Sequence, residues 1–269
     1  MLRPPAVAGQ FYPSNPEELS RLVRRLSNPE KPANKKHVKA SMVPHAGYMY
    51  SGAVAGAVFG SICLPKKILL LGVRHFPRGE ALAINSAGAW RTPLGDVPID
   101  EELAARLEKE CPLLCEDSVA HSREHSLEVE LPFLQCLDQG FSFVPIAVGT
   151  LNFEELTVTG EGIGRVLKKS QKEILVVTSS DMNHYEDDVT TKTKDRMAIA
   201  RLLKLDAAGL YDVCRREKIS MCGLGPAIVM LTAMNALGAQ QGQLIRHETS
   251  GDVTGERERV VGYAGMVFA

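Results

Sequence analysis

Three histidines are distinguished by where they fall along the chain. His45 closes "VKASMVPH", His75 closes "ILLLGVRH" and His184 closes "ILVVTSSDMNH", so each ring follows an apolar run that reads as a strand. In open α/β sheets, ligands bind in the crevice beyond the carboxyl ends of the strands. Three rings delivered there from three strands would make an assembled site. Imidazole is the commonest metal ligand and exchanges protons near neutral pH. Taken singly, each ring is as well explained as a hydrogen-bonded core residue; the shared address is what favours a site. Asp181 lies just before His184, where a carboxylate can orient the ring, raise its basicity or bind a metal itself. It could equally close an Asx-turn. Asp252, in "TSGDVTG" (249–255), is a turn residue or a ligand. If it meets His45 and His75, two imidazoles and a carboxylate form the facial set that suits ferrous iron and oxygen chemistry.

Other patterns carry less. "HSREH" (121–125) has the H-x-x-E-H spacing of inverted zinc proteases, but that chemistry needs both rings on one helical face. Helical periodicity starts only near Ser126, so "REHS" reads as the approach to a helix from which His125 and Glu128 could project. "GLGPA" (223–227) lacks a phosphate-loop lysine and dinucleotide spacing, and reads as a turn opening a helix. Cys222 before it is a reactive thiol at a helix start or a small buried residue. No G-x-S-x-G elbow occurs.

Elements able to present these groups alternate along the chain. Strands are expected at 38–43, 66–73, 81–86, 141–149, 173–179 and 259–268. Helices are expected at 15–27, 100–110, 126–138, 153–170, 191–205 and 225–239. The stretch after His45 is rich in small residues and reads as loop. Strands spaced by helices imply a single α/β domain over 1–269, with a mostly parallel or mixed central sheet and helices on both faces.

Composition narrows the function classes. The 269 residues are 45% hydrophobic and 23% charged with net charge −1, as in ordinary globular proteins and without a basic face for nucleic acid. No apolar run approaches the roughly eighteen residues of a membrane span, and "MLRPPAVAGQFYP" is a poor signal peptide. Six cysteines without a CxxC pair, Cys111 and Cys115 included, read as reduced thiols of a cytoplasmic protein.

The ordered segments "AGQFYP", "PHAGYMYSG", "LLGVRHF", "RTPLGDVPID", "EHSLEVELPFL", "VPIAVG", "SSDMNHY", "CGLGP" and "VVGYAG" resemble those of the Memo family, known in microbes as AmmeMemoRadiSam system protein B, nearly end to end. The resemblance implies a fold similar to class III extradiol dioxygenases. It also implies a non-haem iron or copper centre with His45 and His75 as ligands. Asp252 falls about where the third ligand belongs, a place where animal members carry a cysteine. His184 matches the acid–base histidine, with Asp181 beside it. Phe76 stands where some relatives have a second histidine, leaving His75 the candidate in its loop. Two activities follow as expectations: a dioxygenase-like oxidoreductase acting on a small molecule, or a non-catalytic accessory protein whose cleft grips a ligand or peptide. The microbial name implies a radical-SAM protein and an Ammecr-type protein as partners.

Overall fold

The computed structural model describes residues 1–28, 35–138, 140–170 and 173–269. The chain runs through β1 (Leu2–Arg3), α1 (Pro16–Ser27), β2 (Ala40–Val43), α2 (Tyr48–Ser61), β3 (Lys67–Val73) and β4 (Leu82–Ile84). The hairpin β5 (Ala89–Thr92) and β6 (Gly95–Pro98) leads to α3 (Glu101–Glu110), β7 (Cys115–Glu116) and α4 (Ser118–His121). A 3-10 turn at Glu128–Glu130 then opens α5 (Leu131–Leu137), followed by β8 (Ser142–Val148), α6 (Phe153–Lys168), β9 (Ile174–Ser179) and β10 (His184–Glu186). The last part holds α7 (Asp188–Leu202), α8 (Ala207–Arg216), α9 (Leu224–Ala236), β11 (Gly242–Thr249), α10 (Ser250–Thr254) and β12 (Val260–Phe268).

Strands β2, β9, β3 and β8 lie side by side and parallel in the middle of the main sheet. Strand β12 adds antiparallel beyond β2, and β4 antiparallel beyond β8. Side chains alternate across a strand, and the central strands divide accordingly. Leu69, Leu71 and Val176 enter one core with α3, α6 and α9, while Ile68, Leu70 and Val177 enter another with α1, α2 and α5. Both faces are covered, as near-continuous apolar strands require. This is the α/β architecture with a mixed sheet and helices on both faces that the sequence indicates. Among the described residues, no helix is long and apolar enough to cross a membrane.

Of the segments that differ from the sequence reading, three bear on the site. The small-residue stretch after His45 is a helix, α2, not a loop. Val54, Ala55, Val58 and Phe59 are buried on it with Gly52 and Gly56, so it has no polar stripe to betray its period. Gly56 is required there, since a Cβ would lie 2.5 Å from the Leu26 carbonyl oxygen of α1. "QLIRHE" belongs to β11, which pairs antiparallel with β12. "TSGDVTG" forms α10 rather than a turn, begun by a capping box between Thr249 and Asp252.

Candidate metal centre

Adjacent parallel strands end at Val43, Ser179 and Val73, and the chain leaves them as Pro44–His45, Ser180–Asp181 and Arg74–His75. His45 and His75 therefore converge at the carboxyl edge of the sheet, as expected from their positions. Their ring centroids are 5.1 Å apart. The third member of the group is His125, delivered by the loop before the 3-10 turn. Its ring stacks on His75 at 4.6 Å and meets His45 edge-on at 5.5 Å. One ring nitrogen of each of the three lies within 4.8 Å of the others, a spacing that allows all three to ligate one ion.

Asp252 does not join this group. Its Oδ2 accepts the Thr249 N–H that caps α10, at 2.9 Å, and its Oδ1 accepts from Arg257 at 2.8 Å, with Lys192 at 3.7 Å. A carboxylate at the third position of a helix is well placed to close a capping box, and here it does so. The "HSREH" pattern also separates. His121 is buried, with Nε2 3.2 Å from the Ala83 carbonyl and its ring against Trp90. Glu124 and His125 alone reach the centre.

Hydrogen bonds from behind fix the rings. Glu124, fully buried, accepts the His75 backbone N–H at 2.6 Å and pairs with His75 Nδ1 at 2.9 Å. Burial pulls this carboxyl up, but the hydrogen bonds from His75 and the Ser126 N–H outweigh it and hold it at about 2. An ionised Glu124 requires His75 to carry its proton on Nδ1, leaving the Nε2 lone pair for a ligand.

His45 is set differently. Its Nδ1 lies 2.8 Å from Ser179 Oγ, which is also 2.6 Å from the Ser126 carbonyl and 3.0 Å from Glu130 Oε1. The hydroxyl has one proton, and the short contact to a carbonyl claims it. His45 Nδ1 and Glu130 must then both donate to Ser179 Oγ. This makes Glu130 a neutral acid and again frees Nε2 of the histidine. Burial, with no compensating cation, drives the Glu130 carboxyl well above its usual range. Burial and then the neighbouring rings of His125, His75 and His184 push His45 well below the ordinary histidine value, so it stays neutral, as a metal ligand must be.

The remaining groups surround a cavity of about 640 Å³. Cys222 Sγ stands 3.3 Å from His45 Nε2 and 3.3 Å from the Asp181 backbone N–H. Gly223 permits this approach, because a Cβ there would meet that of Ser180 at 2.2 Å. Asp181 lines the cavity, and its Oδ1 accepts the His45 backbone N–H at 2.8 Å. Burial raises its carboxyl to about 7, against the His45 and Ala46 N–H bonds that lower it. It does not orient His184. That task falls to Ser220, whose carbonyl lies 2.9 Å from His184 Nδ1 and whose hydroxyl accepts the His184 N–H at 2.8 Å. His184 thus stands on the cavity wall with its ring held by backbone carbonyls. His125 and Cys222 are the members that spacing could not place: one hides in a protease-like pattern, the other in an ordinary turn.

Fold and site together define an α/β protein with a three-histidine crevice at the carboxyl edge of a parallel strand core. Sequence comparison makes this specific: the chain belongs to the family described as Memo-like protein, whose profile matches residues 3–267. It is 39% identical over 280 residues to a MEMO1 family protein of Methanopyrus kandleri, covering 100% of this chain and 99% of the relative. To a MEMO1 family protein of Aquifex aeolicus it is 41% identical over 268 residues, covering 99% of each. Among solved structures, the uncharacterized protein JW3007 from Escherichia coli K12 shares the fold. Its TM-score is 0.55 at 12% identity, over 86% of this chain and 99% of that one.

Proposed function

We propose that this protein is a metal-dependent oxidoreductase, dioxygenase-like, whose ion is held by His45, His75 and His125, with the Cys222 thiol beside it. The observation that carries this reading is the convergence of three ring nitrogens within 4.8 Å, two of them with Nδ1 bonded from behind. Three neutral imidazoles suit zinc, copper, iron or nickel, and a thiol near the set favours a softer ion such as copper. Iron or copper, if bound, would supply Lewis acidity and electron exchange at the positions the rings leave open. The protein's own part is to orient the rings, to favour the neutral form of His45 and His125, and to present His184 as an acid–base group toward a ligand in the cavity. Asp181 fixes the backbone from which His45 projects. The family resemblance, together with six free thiols, supports action in the cytoplasm beside a radical-SAM protein and an Ammecr-type partner.

Chelator-stripped protein titrated with Cu(II), Fe(II) and Zn(II), compared with His45→Ala and His125→Ala, tests the centre. Each substitution is expected to weaken binding by about 100-fold or more, since a ligand is lost outright. His125→Ala binding as tightly as the parent would remove the third ring from the centre. A parent that binds no ion would end the reading.

A further inference from the structure

Strand β10 pairs with β12 through His184 opposite Val261 and Glu186 opposite Val260, so Tyr185 is an extra residue that bulges from the ladder. Its φ is +63°, in the left-handed region that bulky L-residues avoid. Bulges commonly re-aim a side chain beside a site, and this one turns the Tyr185 ring onto the cavity wall, edge-on to His184 with centroids 5.6 Å apart. Packing does not offset the strained backbone, because the side chain is 66% exposed. Its other ring contact is the Arg259 guanidinium, 5.7 Å from the centroid. The Tyr185 hydroxyl has no hydrogen-bond partner among the described residues. A strained, exposed aromatic residue at a cavity mouth has no structural task to justify it.

The rest of the wall indicates what would meet that ring. Phe11, Tyr50 and Tyr263 line the same cavity, whereas none of the described lining residues is a lysine or arginine. Its one carboxyl side chain, on Asp181, is turned to backbone N–H groups. Aromatic walls reward flat rings through stacked and edge contacts, and a charged phosphate or carboxylate would meet no lysine or arginine among the described lining residues, the nearby Arg259 being engaged on the Tyr185 ring.

We propose that Tyr185 is a ligand-contacting, specificity-determining residue, and that the cavity takes a molecule with a flat, uncharged, unsaturated ring held against Tyr185 beside His184. This rests on the reading that the three-histidine cavity is the functional site, though not on which ion it holds.

Phenol, cyclohexanol and phenyl phosphate serve as probes, titrated into the purified full chain and followed by broadening of their proton resonances. Urea midpoints are measured in parallel. Phenol is expected to bind about fivefold to tenfold more tightly than cyclohexanol, the worth of an aromatic pair, and more tightly than phenyl phosphate. Tyr185→Gly should lose that preference while its urea midpoint stays level or rises, because glycine tolerates the positive φ. Tyr185→Phe should keep the preference. The proposal is overturned if Tyr185→Gly binds phenol like the parent, or if cyclohexanol or phenyl phosphate binds as well as phenol. It is also overturned if Tyr185→Gly is destabilised and loses binding only in step with folding, since the ring would then be structural. Phenol selectivity in a chain that binds no ion would leave this proposal standing and the metal reading refuted.

Discussion

Ser179 shows how little separates a ligand from a core residue. The difference between a histidine that can bind an ion and one that cannot is which nitrogen bears the proton, and Ser179 decides this for His45. Because its own proton goes to the Ser126 carbonyl, Glu130 must donate to it, and the buried carboxyl is held neutral by burial and hydrogen-bond count together. Glu130→Gln is therefore expected to preserve ion affinity to within about twofold, because an amide donates to Ser179 in the same place. Ser179→Ala, which strips His45 Nδ1 of its partner, should weaken affinity by roughly 10- to 100-fold, the usual range for groups that orient a ligand. Competitive titration against a chromophoric chelator reads both. A large loss in Glu130→Gln would mean that the carboxyl is ionised and that the proton count is wrong.

At the scale of elements, the centre depends on a segment far from it in sequence. Arg3, on β1, is buried; its guanidinium donates to the His121 carbonyl, the Glu124 carbonyl and Glu128 Oε2, each at 2.7 Å. Glu128 also accepts from the Ala6 and Val7 N–H groups and the Tyr12 hydroxyl, and Phe11 packs on His125 with centroids 4.8 Å apart. The N-terminal strap thus clamps the loop that supplies both Glu124 and His125. Arg3→Met, which leaves Glu128 buried without its cation, should cost about 3–5 kcal/mol of stability. It should also weaken ion binding about tenfold in the folded protein. Urea unfolding and ion titration well below the unfolding midpoint separate the two effects; lost stability with unchanged affinity would show that the strap serves the fold alone. None of this clamp was legible in the sequence, because it joins residues more than a hundred positions apart and Arg3 reads as an ordinary terminal charge. The parallel strands were legible, since burial on both faces writes itself as unbroken runs such as "ILLLG". So were His45 and His75, which sit where those runs stop. Helix α2 was not, because a helix of small and apolar residues all round lacks the polar stripe by which a helix is recognised. Asp252 stayed open between turn residue and ligand for a related reason: a carboxylate among small residues looks the same whether it caps a helix or faces an ion.

The whole molecule keeps several histidines neutral and out of water, and its response to acid should show it. His121 is the clearest probe, being remote from the proposed ion and held at about 4 by burial and then by the Arg3 charge, with the Ala83 carbonyl, Asp117 and Glu124 pulling the other way. In the unfolded chain the same ring titrates near 6.5. Above pH 6.5 both states are neutral there and the ring contributes no pH dependence. Between 6.5 and about 4 the unfolded state binds the extra proton, so stability falls as pH falls through that window. A difference of about 2.5 pK units corresponds to roughly 3 kcal/mol lost by pH 4. Glutamine cannot titrate and can still donate to the Ala83 carbonyl. In chelator-treated protein, the stability of His121→Gln relative to the parent should therefore rise by about that amount between pH 7 and pH 4, although the variant packs less well against Trp90 at neutral pH. Urea unfolding across this range is the measurement. Parallel stability curves for parent and variant would mean that His121 is protonated in the fold as readily as outside it, and that the acid sensitivity resides in the rings of the crevice instead.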